Sequence, residues 1–233
     1  MTPEENRGWF KEIYRNLPNI VSILGVVPLS ILFLEDGFSY VPALIVYNNF
    51  MDDLDGILAR ELGLSSDLGA RLDNVADAVA SILIAFAVGA EFGGIVLGAS
   101  AVAAVAVLLR TGHRLGPSPT YGMGSPTNEL MRQLLLVVVL QNAYGFDITV
   151  PLVAIFLFNS ASMLVPFPMP QLIRARTTSV VAILLVNVAL VAAWLVPETA
   201  PFVAAAFFGT YFYSFATNGV SWLRGGVSPE GLV

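Results

Sequence analysis

Apolar positions along this chain fall into eight blocks, most of them close to the length of a bilayer-crossing helix and separated by polar or Gly/Pro-rich breaks. The blocks lie near residues 18–34, 39–60, 68–90, 93–110, 129–143, 148–165, 177–196 and 201–222. A hydrocarbon core about 30 Å thick calls for roughly 20 apolar residues per helix. The pattern therefore predicts an all-α, polytopic membrane protein of about eight transmembrane helices. The fifth block is short and interrupted by Arg132 and Gln133. Ahead of the first block, residues 4–15 set Trp9, Phe10, Ile13 and Tyr14 among Arg7, Lys11 and Arg15, the pattern of an interfacial amphipathic helix. The expected organisation is an interfacial segment over 1–17, a membrane domain over 18–225 and a short tail over 226–233.

Composition agrees with the pattern. Hydrophobic residues make up 56% of the chain and charged residues 12%, where a soluble domain carries about 25% charge. All eleven basic residues fall on one side if both termini are cytoplasmic, while the opposite turns hold Glu35, Asp36, Glu91, Asp147 and Glu198 and no basic residue. The positive-inside rule then predicts a multi-pass protein of the cell membrane with both termini inside. The mixed-charge N-terminus gives no sign of a cleavable signal peptide. With no cysteine and a single histidine, His113, thiolate and multi-histidine metal sites are excluded. A metal would need oxygen ligands, which favours hard ions such as Mg²⁺ or Mn²⁺. Nothing in the composition points to nucleic acid.

Against this apolar background the stretch DDLDGILARELGLSSDLGARLDNVAD, residues 52–77, stands out. Charged groups at membrane depth cost roughly 2.5–3.5 kcal/mol each on insertion scales, so such a cluster is a functional hypothesis by default. Asp52 and Asp55 share a helix face at i,i+3, and Asp73 and Asp77 share one at i,i+4. The intervening ELGLSSDLG suits a reversal between antiparallel helices, which would bring the four carboxylates to one locus. Divalent cations would offset their repulsion and suit a diphosphate under attack. Gly56 and Gly69 leave room for a ligand or another helix, and Arg60 suits a phosphate or a nearby carboxylate. A structural salt-bridge network and a cation or proton pathway remain alternatives at this level. Asp53, outside the pattern, is expected to be a solvated neighbour.

The string Asp52-x-x-Asp55-Gly56-x-x-Ala59-Arg60, eight residues, Gly69-x-x-x-Asp73-x-x-x-Asp77 resembles the signature of the CDP-alcohol phosphatidyltransferases at every defining position. The resemblance implies transfer of a substituted phosphate from a CDP-linked lipid to an alcohol, with release of CMP, by a membrane homodimer. It implies Asp52, Asp55, Asp73 and Asp77 as ligands of two divalent ions, and Asp77 as general base for the acceptor hydroxyl. Gly56, Ala59, Arg60 and Gly69 would line the nucleotide site.

Two looser similarities point to the phosphatidylserine synthase branch, for which eight spans are also more typical. Tyr121-Gly-Met-Gly-Ser-Pro126-Thr-Asn is similar to its small-residue loop after span four, with Gly124 in place of a proline. NSASMLVPFPMPQL, around Ser162, is similar to its element after span six. The third-span LDNVAD departs from that branch. L-serine is thus the favoured acceptor, and CDP-diacylglycerol or CDP-archaeol the donor. The alternative is an acceptor that carries phosphate, glycerol 3-phosphate or inositol phosphate, for which Arg110, Arg114, Arg174 and Arg176 are acceptor-site candidates. The same arginines would also serve as topology anchors. Residues 111–128 are expected to form a turn-filled loop that carries His113. Asn16 and Asn19 are expected either near substrate or as caps of the first helix.

Overall fold

The structure, a computed structural model, describes residues 11–116, 122–169 and 180–225. Every regular element among them is helical. Each apolar block yields one α-helix: α1 Leu17–Val26, α2 Val41–Glu61, α3 Asp67–Phe92, α4 Gly94–Leu115, α5 Thr127–Tyr144, α6 Thr149–Leu164, α7 Val180–Leu195 and α8 Ala200–Leu223. A 3-10 stretch, Val27–Phe33, prolongs α1. Pro18 and Pro42 lie in the first turns of their helices, where the missing N–H has no intrahelical partner to lose. Pro28 falls where α1 passes into the 3-10 stretch, and the Leu24 and Gly25 carbonyls accept instead from Tyr47 Oη at 3.1 Å and Asn48 Nδ2 at 3.2 Å. Residues 11–15 are helical and run into α1; Trp9 and Phe10, the core of the predicted interfacial helix, lie outside the described residues.

Eight helices are not eight independent membrane-crossing lengths. By length and composition α3 and α4 qualify alone, and α7 with α8 as a pair bent by 119° at the break after Leu195. Helix α1 with its extension, and α6, are apolar but shorter. Helix α2 falls short because its C-terminal half carries Asp52, Asp53, Asp55 and Arg60, and α5 because it opens on Asn128, Glu129, Arg132 and Gln133. The polar stretch after α4 is also narrower than expected. Helix α4 continues through Leu115 and α5 starts at Thr127, so His113 sits on the exposed last turn of a helix and not in a loop.

Helix α5 forms the centre of the bundle. Every side chain from Thr127 to Val139 is buried, and Leu130, Leu134 and Leu135 join Ile45, Ile84 and Phe156 in one apolar core. Helices α3 and α4 turn back on each other through Gly93 and Gly94, at φ +60° and +49°, values that favour glycine. At Gly89 a Cβ would stand 2.1 Å from Ser100 Oγ, so the glycine is what admits α4 this close to α3. On the outer surface Phe33, Val150, Phe202 and Leu223 are each more than two-thirds exposed. An apolar exterior of this kind suits lipid rather than water.

Polar contacts gather at one end of the bundle. The C-terminal half of α2 meets the start of α5 through Asp52 and Asn128, and the start of α5 meets the end of α6 through Gln133 and Asn159. The end of α4 meets the segment before α5 where Gly122 lies against Arg110. The motif aspartates belong to this end.

Candidate active site

The site begins with the way α2 stops and α3 starts. Gly63 adopts φ +64°, and the N–H groups of Gly63 and Leu64 donate to the carbonyls of Arg60 and Ala59 at 3.2 and 2.9 Å. This is a Schellman closure, which satisfies the last carbonyls of α2. Ser66 then caps α3, its Oγ accepting from Gly69 N–H at 3.1 Å. Asp67 adds a negative charge to the first turn, where the helix dipole favours it. The predicted reversal is thus present, and it sets the two halves of the motif face to face.

Asp52, Asp55 and Asp73 each place a carboxylate oxygen within 4.8 Å of the others. Asp77, one turn further along α3, lines the inner part of the same cleft, beside all three, but stands outside that cluster. The outer part of the cleft, about 130 Å³, lies between α1, α2 and α3. Gly56 and Ala59 line it from α2, Gly69 from α3, and Asn19 and Ser22 from α1. A Cβ on Gly69 would meet Asn19 Oδ1 at 3.0 Å, and one on Gly56 would meet Arg60 Nη1 at 3.3 Å. The glycines therefore make room for polar side chains that fold over the cleft rather than only for a ligand. Arg60 is itself exposed.

Neutral donors from other helices hold the two α2 acids. Ser22 Oγ of α1 donates to Asp55 Oδ2. Asn128 Nδ2 of α5 donates to Asp52 Oδ2 at 2.8 Å. Asp53 corrects an expectation: it is buried, not solvated. A one-residue step rotates a side chain by about 100° around the helix, which turns Asp53 away from the cleft and towards α7. There Asn187 Nδ2 donates to its Oδ2 at 2.6 Å, and Asn187 Oδ1 accepts from Asn49 Nδ2 at 2.8 Å. Arg132 is likewise buried rather than a surface topology marker. Its Nη1 pairs with Glu129 Oε1 at 2.8 Å, and its Nε donates to Asn49 Oδ1 at 2.8 Å.

The remaining candidates divide. Arg110 is buried in the last turns of α4, its Nε has no hydrogen-bond partner among the described residues, and Asp77 and Arg114 lie within electrostatic reach. Arg114 is exposed. Arg174 and Arg176 lie outside the described residues. Asn16 occupies the N-cap position of α1 without a side-chain capping bond; its Nδ2 donates back to the Glu12 carbonyl at 3.0 Å.

The loop and the α6 end that carried the looser similarities dock on one another. A Cβ on Gly124 would stand 1.6 Å from the Ser162 carbonyl oxygen, so this close approach requires glycine. Ser125 N–H donates to that carbonyl at 3.0 Å, and the Ser125 and Ser162 hydroxyls lie 2.9 Å apart. Ser22, Asn128, Asn49 and Asn187 were not singled out from the sequence. For Ser22 and Asn187 a signal was present, as lone polar side chains inside apolar helices, which as a rule face the bundle interior. Asn49 and Asn128 stand beside other polar residues and carried no such signal.

A clustered set of carboxylate oxygens, steadied by neutral donors and without nitrogen or sulfur ligands, fits a hard divalent cation. An apolar helical bundle with such a site in a cleft at its polar end defines a class: a helical membrane protein with an acidic, ligand-accessible centre. Within that class the chain belongs to the CDP-alcohol phosphatidyltransferase family, whose model matches residues 15–210, from the residues leading into α1 to the middle of α8. The family comprises phosphotransferases that move a phosphatidyl group from a CDP-alcohol to an alcohol and use divalent metal ions. The comparison with curated proteins gave no match.

Proposed function

We propose that the chain is a phospholipid synthase that transfers a phosphatidyl or archaetidyl group from CDP-diacylglycerol or CDP-archaeol to L-serine, with release of CMP. The observation that carries this reading is the convergence of Asp52, Asp55 and Asp73 within 4.8 Å, with Asp77 beside them in the same cleft.

Asp52, Asp55 and Asp73 would hold divalent ions, Mg²⁺ or Mn²⁺, with Asp77 at the edge of the set. When bound, such ions offset the charge of the diphosphate and of the departing CMP. Asp77 accepts the proton of the acceptor hydroxyl as that oxygen attacks the lipid-side phosphorus. The new phosphorus–oxygen bond forms as the bond to the CMP oxygen breaks, and the proton stays on the Asp77 carboxyl until it exchanges with solvent. Gly56, Ala59, Arg60 and Gly69 border the nucleotide, with Arg60 supplying positive charge at the mouth. The catalytic unit is assigned to residues 18–225, set in the cell membrane as a homodimer with the site and both termini on the cytoplasmic side. The one-sided distribution of basic residues supports that orientation.

Serine is favoured by the two segments similar to the phosphatidylserine synthase branch, which pack on each other through Ser125 and Ser162. A second reading, with glycerol 3-phosphate or inositol phosphate as acceptor, is favoured by Arg110. A buried guanidinium near Asp77 with an unbonded Nε suits an anionic group on the acceptor.

The test is a panel in which purified protein, Mg²⁺ or Mn²⁺ and each CDP-lipid are incubated with serine, glycerol 3-phosphate or inositol phosphate. CMP and lipid product are measured. Product with serine is expected. Product with a phosphorylated alcohol alone selects the second reading, and no CMP with any acceptor overturns the transferase assignment for this chain.

A further inference from the structure

We propose that Asn128 is a positioning residue for the divalent-ion site, acting through Asp52. The inference rests on the reading of Asp52, Asp55 and Asp73 as ion ligands.

Asn128 comes from α5 and reaches across to α2, 76 positions away in sequence, to donate Nδ2–H to Asp52 Oδ2 at 2.8 Å. An ionised carboxylate only accepts, so the amide must present its NH₂ group to Asp52. Its other end argues for the same purpose. Asn128 Oδ1 is buried without a hydrogen-bond partner among the described residues, a cost that an apolar side chain of the same shape would avoid. Packing alone therefore gives no reason for an amide here, whereas the bond to Asp52 does.

The chemistry of the donor is also suited to the task. A lysine or arginine at this place would neutralise Asp52 and compete with a cation. A neutral amide fixes the direction of the carboxylate, occupies one lone pair of Oδ2, and leaves the charge and Oδ1 for the ion. The platform that carries Asn128 is held by a second bond one turn away. Arg132 Nε of α5 donates to Asn49 Oδ1 of α2 at 2.8 Å, and Asn49 lies one turn before Asp52. Glu129 pairs with Arg132 at 2.8 Å, so this second bond brings no net charge towards the acids. Two bonds a turn apart define the register of α5 on α2, and with it the direction of Asp52.

Residues that orient metal ligands from outside typically change metal affinity 10–100-fold when they are removed. The test is Mn²⁺ binding to the purified full chain in detergent without nucleotide, followed by electron paramagnetic resonance or calorimetry. Wild type is expected to bind, and Asn128→Leu to bind about 10–100-fold more weakly. Gln133→Leu is the control, because this buried amide on the same helix donates nothing to the motif and accepts from Asn159 at 2.7 Å. It is expected to bind like wild type. In the transfer assay Asn128→Leu should raise the Mg²⁺ concentration for half-maximal rate more than it lowers the rate at saturating ion. If Asn128→Leu does not give a monodisperse protein, Asn128→Ser, smaller and too short to reach Asp52, takes its place. Unchanged affinity in the Asn128 variant overturns the proposal while the ion reading stands. Equal weakening in Gln133→Leu also overturns it, since α5 packing would then be the cause. Absence of Mn²⁺ binding in wild type overturns the ion reading and the proposal together.

Discussion

Asp73 and Asp77 occupy successive turns of one helix face and line the same cleft, but only Asp73 belongs to the carboxylate cluster, and their substitutions should separate accordingly. Asp73 shares a locus with Asp52 and Asp55, so Asp73→Asn is expected to weaken Mn²⁺ binding directly, as a titration against wild type would record. Asp77 stands outside that cluster, so Asp77→Asn should lower the rate of CMP release by about 10²–10⁴-fold, the range for a lost general base. Its effect on Mn²⁺ affinity should be smaller than that of Asp73→Asn. Gly124 makes a third residue-scale test. Even one methyl there meets a carbonyl oxygen at 1.6 Å, and the strain of overpacking costs about 1–3 kcal/mol. Gly124→Ala should lower the unfolding midpoint in detergent. The spacing of the acids was readable because helix periodicity converts it into a face. The fate of Asp53 was not, because which neighbour a one-residue rotation meets depends on where α7 packs.

Helix α5 shows the same limit over a longer stretch. Asn128, Glu129, Arg132 and Gln133 read as interruptions of an apolar span, yet this helix is the most deeply buried of the eight. Its polar start bonds to neighbours it meets only in the folded bundle, Asp52, Asn49 and Asn159, while Asn128 Oδ1, Arg132 Nη2 and Gln133 Nε2 stay without a partner among the described residues. The ion pair of Glu129 and Arg132 is local, at i,i+3, while its burial is not. Removing one partner strands the other charge in the interior, at about 3–5 kcal/mol for a buried pair. Glu129→Leu is expected to destabilise the protein by that order, and chemical unfolding in detergent would measure it. The joint of α3 and α4, by contrast, was placed near the right residues by the apolar blocks, because Gly93 and Gly94 punctuate the pattern.

Across the whole molecule, helices and site are separable. The bundle is held by an apolar core around α5, whereas the candidate reaction depends on ions at one polar end. Chelation with EDTA should therefore abolish CMP release and Mg²⁺ or Mn²⁺ should restore it, with the helical circular dichroism signal retained throughout; loss of that signal would make the ions structural instead. Sequence alone determined the all-α class, the eight helical blocks, the oxygen-only ligand chemistry and the motif that names the family. Each of these follows from local composition or from spacing along one or two helices. Tertiary structure alone decided which acids converge, that Gly69 makes room for Asn19, and that Ser22 and Asn128 steady Asp55 and Asp52. Those outcomes depend on contacts between residues far apart in the chain, and no local pattern specifies which helix will face which. The segment from Asp52 to Asp77 thus carries the candidate ligands, while their orientation is set by helices outside it.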